Sequence, residues 1–404
     1  LLTGVVAGLY PSWYVTSFPP ALVLKGSFGL SPSGRKLRTI LVSVQFIVSI
    51  LLIIGASFVQ LQNDYMRSFS LGFDKDQIAI VELSGELYKK HHETYVNRLK
   101  EFPDIEDVAF AMEKVASKDG YSTNGAVLKQ KEFQFFMIMT SSNFLRVMGI
   151  PVEEGRDFSL SDELSEEPVY IFNEAAKLAV NMEQGDILQS WVPGRIIGFT
   201  GNVKFTSLRN GENNIAFVVS KMPYPMSVSY IRLKAGSDVH AAVNHIRKTL
   251  ADLDPAYPFD VQFYDTIFNH LYHKEENLRS LITVFSILAI IISLVGVFGL
   301  VVFDTQYRRK EIGVRKVHGA TNSEILKMLN RSYIYIVLVC FALAAPVGYY
   351  GIKKWLESFA YKTPMYWWVY LAALTIVLVI TIGTVTFQSW RAANANPVDS
   401  LKAQ

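Results

Sequence analysis

Glu311, Arg315 and Lys316 are the residues in this chain best suited to polar contacts with another macromolecule. They lie in a short, mostly basic stretch from Arg308 to Leu329, trapped between two uncharged runs, Leu281–Phe303 and Tyr333–Ile352. Each run has about the ~20 residues that an α-helix needs to cross a bilayer. Lys and Arg collect in the cytoplasmic loops beside membrane helices, which places this stretch inside. Internally it reads as two helices and a corner. Gly319 supplies the left-handed residue that ends the first helix. Thr321 and Glu324 form the S/T-x-x-E capping box that opens the second, which runs on towards the next span. A loop that only marks topology needs no capped corner, so docking of another protein is the sharper expectation.

Other constellations fall short of chemistry. The segment from Gly29 to Lys36 approaches a P-loop, but Arg35 stands where the essential Lys belongs and Lys36 where Ser or Thr belongs. No strand precedes it. His91, His92 and Glu93, and the pair His270 and His273, lack H-E-x-x-H spacing and further ligands. No G-x-S-x-G is present. Cys340 is the single cysteine and sits in an apolar run, so it reads as a small hydrophobe. Catalytic, metal and cofactor-binding residues are therefore expected to be none. The net charge of +3 gives no reason to invoke nucleic acid.

The elements that hold the basic corner are membrane spans. Half of the residues are hydrophobic, too many for an ordinary soluble domain, yet the chain is too charged to lie wholly in lipid. Four spans are expected: Thr39–Val59, Leu281–Phe303, Tyr333–Ile352 and Pro364–Gln388. Arg35, Lys36 and Arg38 place the start of the first inside, and Arg391 and Lys402 fit a cytoplasmic tail. Tyr366, Trp367 and Trp368 fit an aromatic belt at the outer interface, against which Lys353, Lys354 and Lys362 in the outer loop are counter-evidence. In the second span Ser286, Ala289, Ser293, Gly296 and Gly299 make a small-residue face. It serves close helix packing, either within the chain or between subunits. Gln45 reads as a helix–helix hydrogen-bonding residue, and Pro346 as a kink in the third span. The four spans carry no charge, which argues against an ion pathway within them.

Between the first two spans lies an α/β region, from about Gln60 to Glu276, expected outside the cytoplasm. Strands are predicted at Gln77–Leu83, Phe133–Met139, Pro168–Phe172, Arg195–Phe199, Ala216–Ser220 and Ser229–Leu233. A helix is predicted at Tyr95–Phe102, and another whose apolar face is Val239, Ala242, Val243, Ile246 and Leu250. The apolar stripe Ile267, Leu271 and Leu278 leads into the second span, and Phe58, Leu61 and Tyr65 prolong the first outwards, so a two-helix stalk is expected.

The run from Arg308 to Leu326 resembles the cytoplasmic loop of FtsX-like, MacB-type ABC transporter permeases. The matching positions are Arg309, Glu311, Ile312, Gly313, Arg315, Lys316, Gly319, Ala320 and Ile325; His318 stands where many relatives carry a small apolar residue. The blocks Val147–Ile150, Gly155–Phe158, Val169–Ala176, Ile196–Gly198 and Phe205–Arg209 are similar to the periplasmic core of that family. Gly155 and Gly198 would there turn the backbone, and Asn173 with Glu174 would open a helix. Ser12, Trp13, Pro20, Leu24 and Lys25 repeat at one fixed offset as Ser389, Trp390, Pro397, Leu401 and Lys402. A tandem duplication is inferred, of the kind found in Bacteroidetes-like relatives.

The expected fold is thus an α-helical membrane domain of four transmembrane helices, with a large α/β extracytoplasmic domain inserted between helices one and two. Residues 1–25 would be the tail of a preceding permease unit, 26–59 the lead-in and first span, and 60–279 the outer domain with its stalk. Residues 280–404 would be the FtsX-like domain, its spans at 281–303, 333–352 and 364–388 and its coupling loop at 304–332. The resemblance implies a permease of the inner membrane whose fuel is burned by a cytoplasmic ATPase of MacB, LolD or FtsE type. It implies docking through Arg309, Glu311, Ile312, Gly313, Arg315, Lys316, Gly319, Ala320, Thr321 and Glu324, and leaves open a periplasmic adaptor or outer-membrane channel. Export or efflux is the leading expectation. A transmitter acting on a cell-wall hydrolase or similar envelope partner, and a ligand-sensing receptor, are the alternatives.

Overall fold

The structure, a computed structural model, describes residues 32–115, 122–221, 226–270 and 273–393. The repeat marks at both chain ends other than Ser389 and Trp390, the P-loop-like Gly29, and Leu271 of the expected stalk fall outside them. The chain divides into two compact units. One comprises the described residues up to Asn63, then Asn277–Glu357 and those from Thr363 onward. The other comprises Asp64–Glu276 together with Ser358–Lys362.

The first helix, α1 (Pro32–Ser68), is apolar over its middle because Thr39–Val59 offers no charge to solvate. It does not stop at the end of that run but continues to Ser68, roughly 14 Å further at ~1.5 Å per residue. After it, in chain order, come β1 (Ile78–Glu82), α2 (Gly85–Lys100), β2 (Ile105–Ala111), β3 (Ser122–Leu128), β4 (Lys131–Met139) and α3 (Phe144–Val147). β5 (Val152–Gly155), α4 (Leu160–Glu163), β6 (Val169–Asn173), α5 (Glu174–Val180), β7 (Ile187–Ser190) and β8 (Gly194–Thr200) follow. The α/β unit then runs through β9 (Ile215–Val219), β10 (Val228–Leu233), α6 (Val239–Leu253), β11 (Val261–Phe263) and α7 (Tyr264–His270).

Its strands form two sheets. The smaller has the order β11-β1-β10-β2, antiparallel throughout, and α2 and α6 bury Tyr95, Leu99, Ile246 and Leu250 against it. The larger has the order β5-β8-β6-β9-β4-β3-β7, and β7 also pairs with the start of β8, so the sheet closes on itself. β4 shows why this sheet has two cores. Phe133, Phe135, Met137 and Met139 point into one cluster, and Ile138 into the cluster shared with the smaller sheet, as a two-residue period requires.

Asn173 ties three elements of this unit together. Its Oδ1 accepts from the Ala176 amide, capping α5, and from the Ile215 amide at the start of β9, while its Nδ2 donates to the Asn213 carbonyl. Gly155 has φ +85°, so it does turn the chain. Gly198 does not. It lies inside β8, where a Cβ would come within 2.8 Å of the Glu154 carbonyl oxygen, and its lack of a side chain lets β5 pair closely.

The membrane unit continues with α8 (His273–Tyr307), α9 (Arg309–Val317), α10 (Asn322–Leu356) and α11 (Trp367–Ala393). Among the described residues, four helices are long and apolar enough to cross a membrane: Arg38–Ser68, Glu276–Tyr307, Asn322–Leu356 and Trp367–Trp390. Ser49 Oγ donates to the Ala289 carbonyl and shares a 2.8 Å hydrogen bond with Ser293 Oγ. Ser286 Oγ reaches the Leu52 carbonyl at 3.1 Å, and the Gln45 carboxamide lies against Gly296. These small residues let α1 and α8 meet closely, whereas Gly299 has open space around it. α10 passes unbroken through Pro346. The second span extends past its apolar run to include Asp304, a buried carboxylate that accepts from Tyr333 Oη at 3.3 Å.

Candidate functional site

The basic stretch between the second and third membrane helices folds into a tight corner. α9 ends at Val317 with His318 as its C-cap, and Gly319 takes φ +89°. The Gly319 amide donates to the Lys316 carbonyl and the Ala320 amide to the Arg315 carbonyl, both at 3.0 Å. That pair of bonds satisfies two carbonyls that would otherwise be orphaned at the helix end. Thr321 Oγ1 then accepts from the Glu324 amide at 3.3 Å, and Glu324 Oε2 accepts from the Thr321 amide at 2.9 Å. The capping box opens α10, which is a single helix from the corner through the third span, so the second half of the hairpin is not a separate short helix.

Two sides of α9 differ. Ile312 and Gly313 are buried, and Ile312 joins Ile325, Leu329 and Tyr333 in the core of the membrane unit. Glu311, Val314, Arg315 and His318 recur at three- and four-residue intervals, hence on one face, and all are exposed. Val317 lies beside them. Val314 is 49% and Val317 65% exposed, which is unusual for valines on a helix that already buries another face. Sequence reasoning singled out the charges and missed these two valines. The only signal for them was their position opposite Ile312 on the helical wheel.

The charges are arranged for exchange. Arg315 donates to Glu311 Oε1 at 2.8 Å, one helical turn away, and also approaches Met328 Sδ at 2.9 Å. Such an exposed i,i+4 pair contributes only ~0.3–0.5 kcal/mol, so a partner's carboxylate can displace Glu311 at little cost. Glu311 in the first turn and Arg315 and Lys316 in the last also complement the helix dipole. Thr321 and Glu324 are exposed at the corner and Ala320 is half-buried. Arg309 opens α9. What the arrangement offers is an amphipathic knob at the junction of two long helices.

The unit that carries this knob also holds, among the described residues, the helices long and apolar enough to cross a membrane. Residues 283–397 match the family described as FtsX-like permease C-terminal. Over 207 residues it is 23% identical to the macrolide export ATP-binding/permease protein MacB of Aggregatibacter actinomycetemcomitans, covering 49% of this chain and 32% of that protein. Over 282 residues it is 23% identical to the MacB of Chromobacterium violaceum, covering 66% and 43%. The chain thus spans less than half the length of these relatives, whose names join an ATP-binding part to a permease part. Similar solved structures include the periplasmic region of MacB from Actinobacillus actinomycetemcomitans, at 15% identity and TM-score 0.38, covering 50% of this chain and 95% of that one. The extracellular domain of the noncanonic ABC-type transporter YknZ from Gram-positive bacteria matches at 16% identity and TM-score 0.35, covering 46% and 99%.

Proposed function

We propose that the chain is the non-catalytic permease subunit of an ABC transporter of the inner membrane, worked by a cytoplasmic ATPase carried on a separate chain. The observation that supports this most directly is the capped corner, with Glu311, Val314, Arg315, Val317 and His318 presented together inside the FtsX-like segment. The ATPase docks on that face. Its closure on nucleotide shifts α9, and with it the two long helices on either side, between two discrete positions. On the far side of the bilayer the α/β unit, inserted between spans one and two, receives the movement. The Arg67–Glu276 ion pair, at 2.5 Å, joins the outer end of α1 to the start of α8, which fits a two-helix stalk. Export or efflux follows from the names of the relatives, and a periplasmic adaptor or outer-membrane channel completes the route.

Topology and fuel test this reading together. Cys340 is buried, so a cysteine placed by His318→Cys is the reactive thiol among the described residues. A membrane-impermeant maleimide is expected to label it in inside-out vesicles and not in intact cells, and an ATPase is expected to co-purify with the chain. Labelling from the exterior alone, or ATP hydrolysis by the chain purified without a partner, overturns it.

A further inference from the structure

The connector between α10 and α11 is split between the two units. Glu357 and Thr363 group with the membrane helices, but Ser358–Lys362 packs as part of the α/β unit. Connecting loops normally run solvated over a surface. This one is gripped. The Ala360 amide donates to the Arg209 carbonyl and the Tyr361 amide to the Leu208 carbonyl, both at 3.2 Å, so two backbone rungs join it to the loop after β8. The Arg209 guanidinium lies 4.3 Å from the centroid of the Phe359 ring and donates to Ser358 Oγ at 3.3 Å. Phe359 is only 2% exposed. The Tyr361 ring meets the edge of Phe69 at 4.8 Å and has Lys204 Nζ 5.0 Å from its centroid.

The gripping loop is itself held. Lys204 is 3% exposed, a buried cation whose Nζ donates to the carbonyls of Asn210 and Gly211 and so closes the 204–211 turn. Its amide donates to the Leu71 carbonyl at 2.8 Å. Beyond the grip, the Thr363 amide donates to Oε1 of the fully buried Gln62 at 2.8 Å.

We infer that Ser358–Lys362 is a strap through which the α/β unit pulls directly on the third membrane helix. The slack decides which helix is pulled. α10 ends at Leu356, two residues before the grip, and an extended chain spans at most ~3.6 Å per residue. The connection from Leu356 to Ser358 therefore reaches at most about 7 Å, so α10 must follow any displacement of the grip beyond that reach. On the other side, the Thr363 amide is held by Gln62 of α1 one residue past the grip, so the strap ties α10 and α1, while α11 begins only at Trp367. α10 is the helix that begins at the Thr321–Glu324 capping box. The strap is thus a second line from the outer unit to the docking corner, besides the one through α1 and α8. Its existence as a tether does not depend on the permease reading; only the meaning of its cytoplasmic end rests on that.

The test uses the full chain in lipid nanodiscs, spin-labelled through Glu132→Cys on the α/β unit and Lys354→Cys near the end of α10, both exposed positions. One variant inserts six Gly/Ser residues between Glu357 and Ser358, leaving the grip intact and adding slack. A second, Arg209→Ala with Tyr361→Ala, strips the grip at unchanged length. Both are expected to widen the distance distribution about twofold or more, because six residues add up to ~20 Å of reach. The second is also expected to speed amide exchange at positions 360 and 361 by about tenfold, with β1 exchange unchanged as the control for folding. Unchanged widths in the insertion variant overturn the inference, whether or not the stripped variant folds. Faster exchange at positions 360 and 361 with no widening overturns it too. No nucleotide is needed, so a failed strap and a failed docking reading give different results.

Discussion

Replacing Val314 and Val317 by serine isolates the docking face from the fold. A fully buried valine contributes about 1.5 kcal/mol. At 49% and 65% exposure the two side chains together leave slightly more than one valine's worth of apolar surface uncovered. If a partner covers that surface, the double variant loses about 1.7 kcal/mol of binding, which is roughly a 20-fold rise in Kd. The helix should survive, because its anchor is Ile312, only 6% exposed and packed with Ile325 and Leu329. Binding of the ATPase that co-purifies from native membranes would be measured by titration onto the full chain in nanodiscs, with thermal unfolding followed in parallel. A Kd within about twofold of wild type, with unfolding unchanged, would refute the claim that these valines face a partner. A 20-fold loss accompanied by a lower unfolding temperature would instead indict the hairpin's stability.

Further outcomes follow from the charges. Reversal of Arg315 and Lys316 to glutamate is expected to abolish stimulation of the ATPase while leaving expression and unfolding unaltered, since the Arg315–Glu311 pair contributes little to stability; retained stimulation would count against docking there. In the α/β unit, the Arg156 guanidinium chelates Asp162 at 2.7 and 2.8 Å and, helped by Ser159, holds its carboxyl at about 2 against an ordinary 3.8. A depressed carboxylate contributes stability that is fully present above ~3.8 and lost as pH falls through about 2. Discounted for the half-exposed Arg156, this is about 1 to 2 kcal/mol. Asp162→Asn should therefore destabilise the chain at pH 6 and make no difference at pH 1.5, read by urea unfolding; an equal penalty at both would show that packing matters and the ion pair does not.

Much of the capped corner was legible because helix ends are local chemistry. Gly319 at φ +89° and the reciprocal Thr321–Glu324 bonds need only residues within one turn of each other. The membrane helices were legible for a similar reason, since an uncharged run of twenty residues has few other places to go. Their ends were not. α1 continues to Ser68 and α8 to Tyr307, past the charges that closed the apolar runs, because packing and pairing such as Arg67–Glu276 extend a helix beyond its hydrophobic stretch. Within the α/β unit, β1, β4, β6, β8, β9 and β10 follow β-branched or aromatic alternation and were predicted. β2, with Glu106 and Asp107 in it, and β3, with Ser122, Thr123, Asn124 and Gly125, were missed. Those two are strands because β10 and β4 offer them hydrogen bonds, which no feature of their own residues announces.

By itself the sequence determined what short-range forces decide: the membrane helices, the capped corner with its charges, and the apolar face of α6. The tertiary structure alone decided which surfaces remain free and which distant segments hold one another. Val314 and Val317 stand out as an exposed apolar face only once Ile312 is seen to take the buried side. Leu208 and Arg209 meet Ala360 and Tyr361 across some 150 residues of chain because two backbone rungs and a cation over an aromatic ring join them. The physical reason is that caps and hydrophobic runs act within a turn or a helix, whereas exposure and long-range pairing are properties of the whole packed chain and have no local signature.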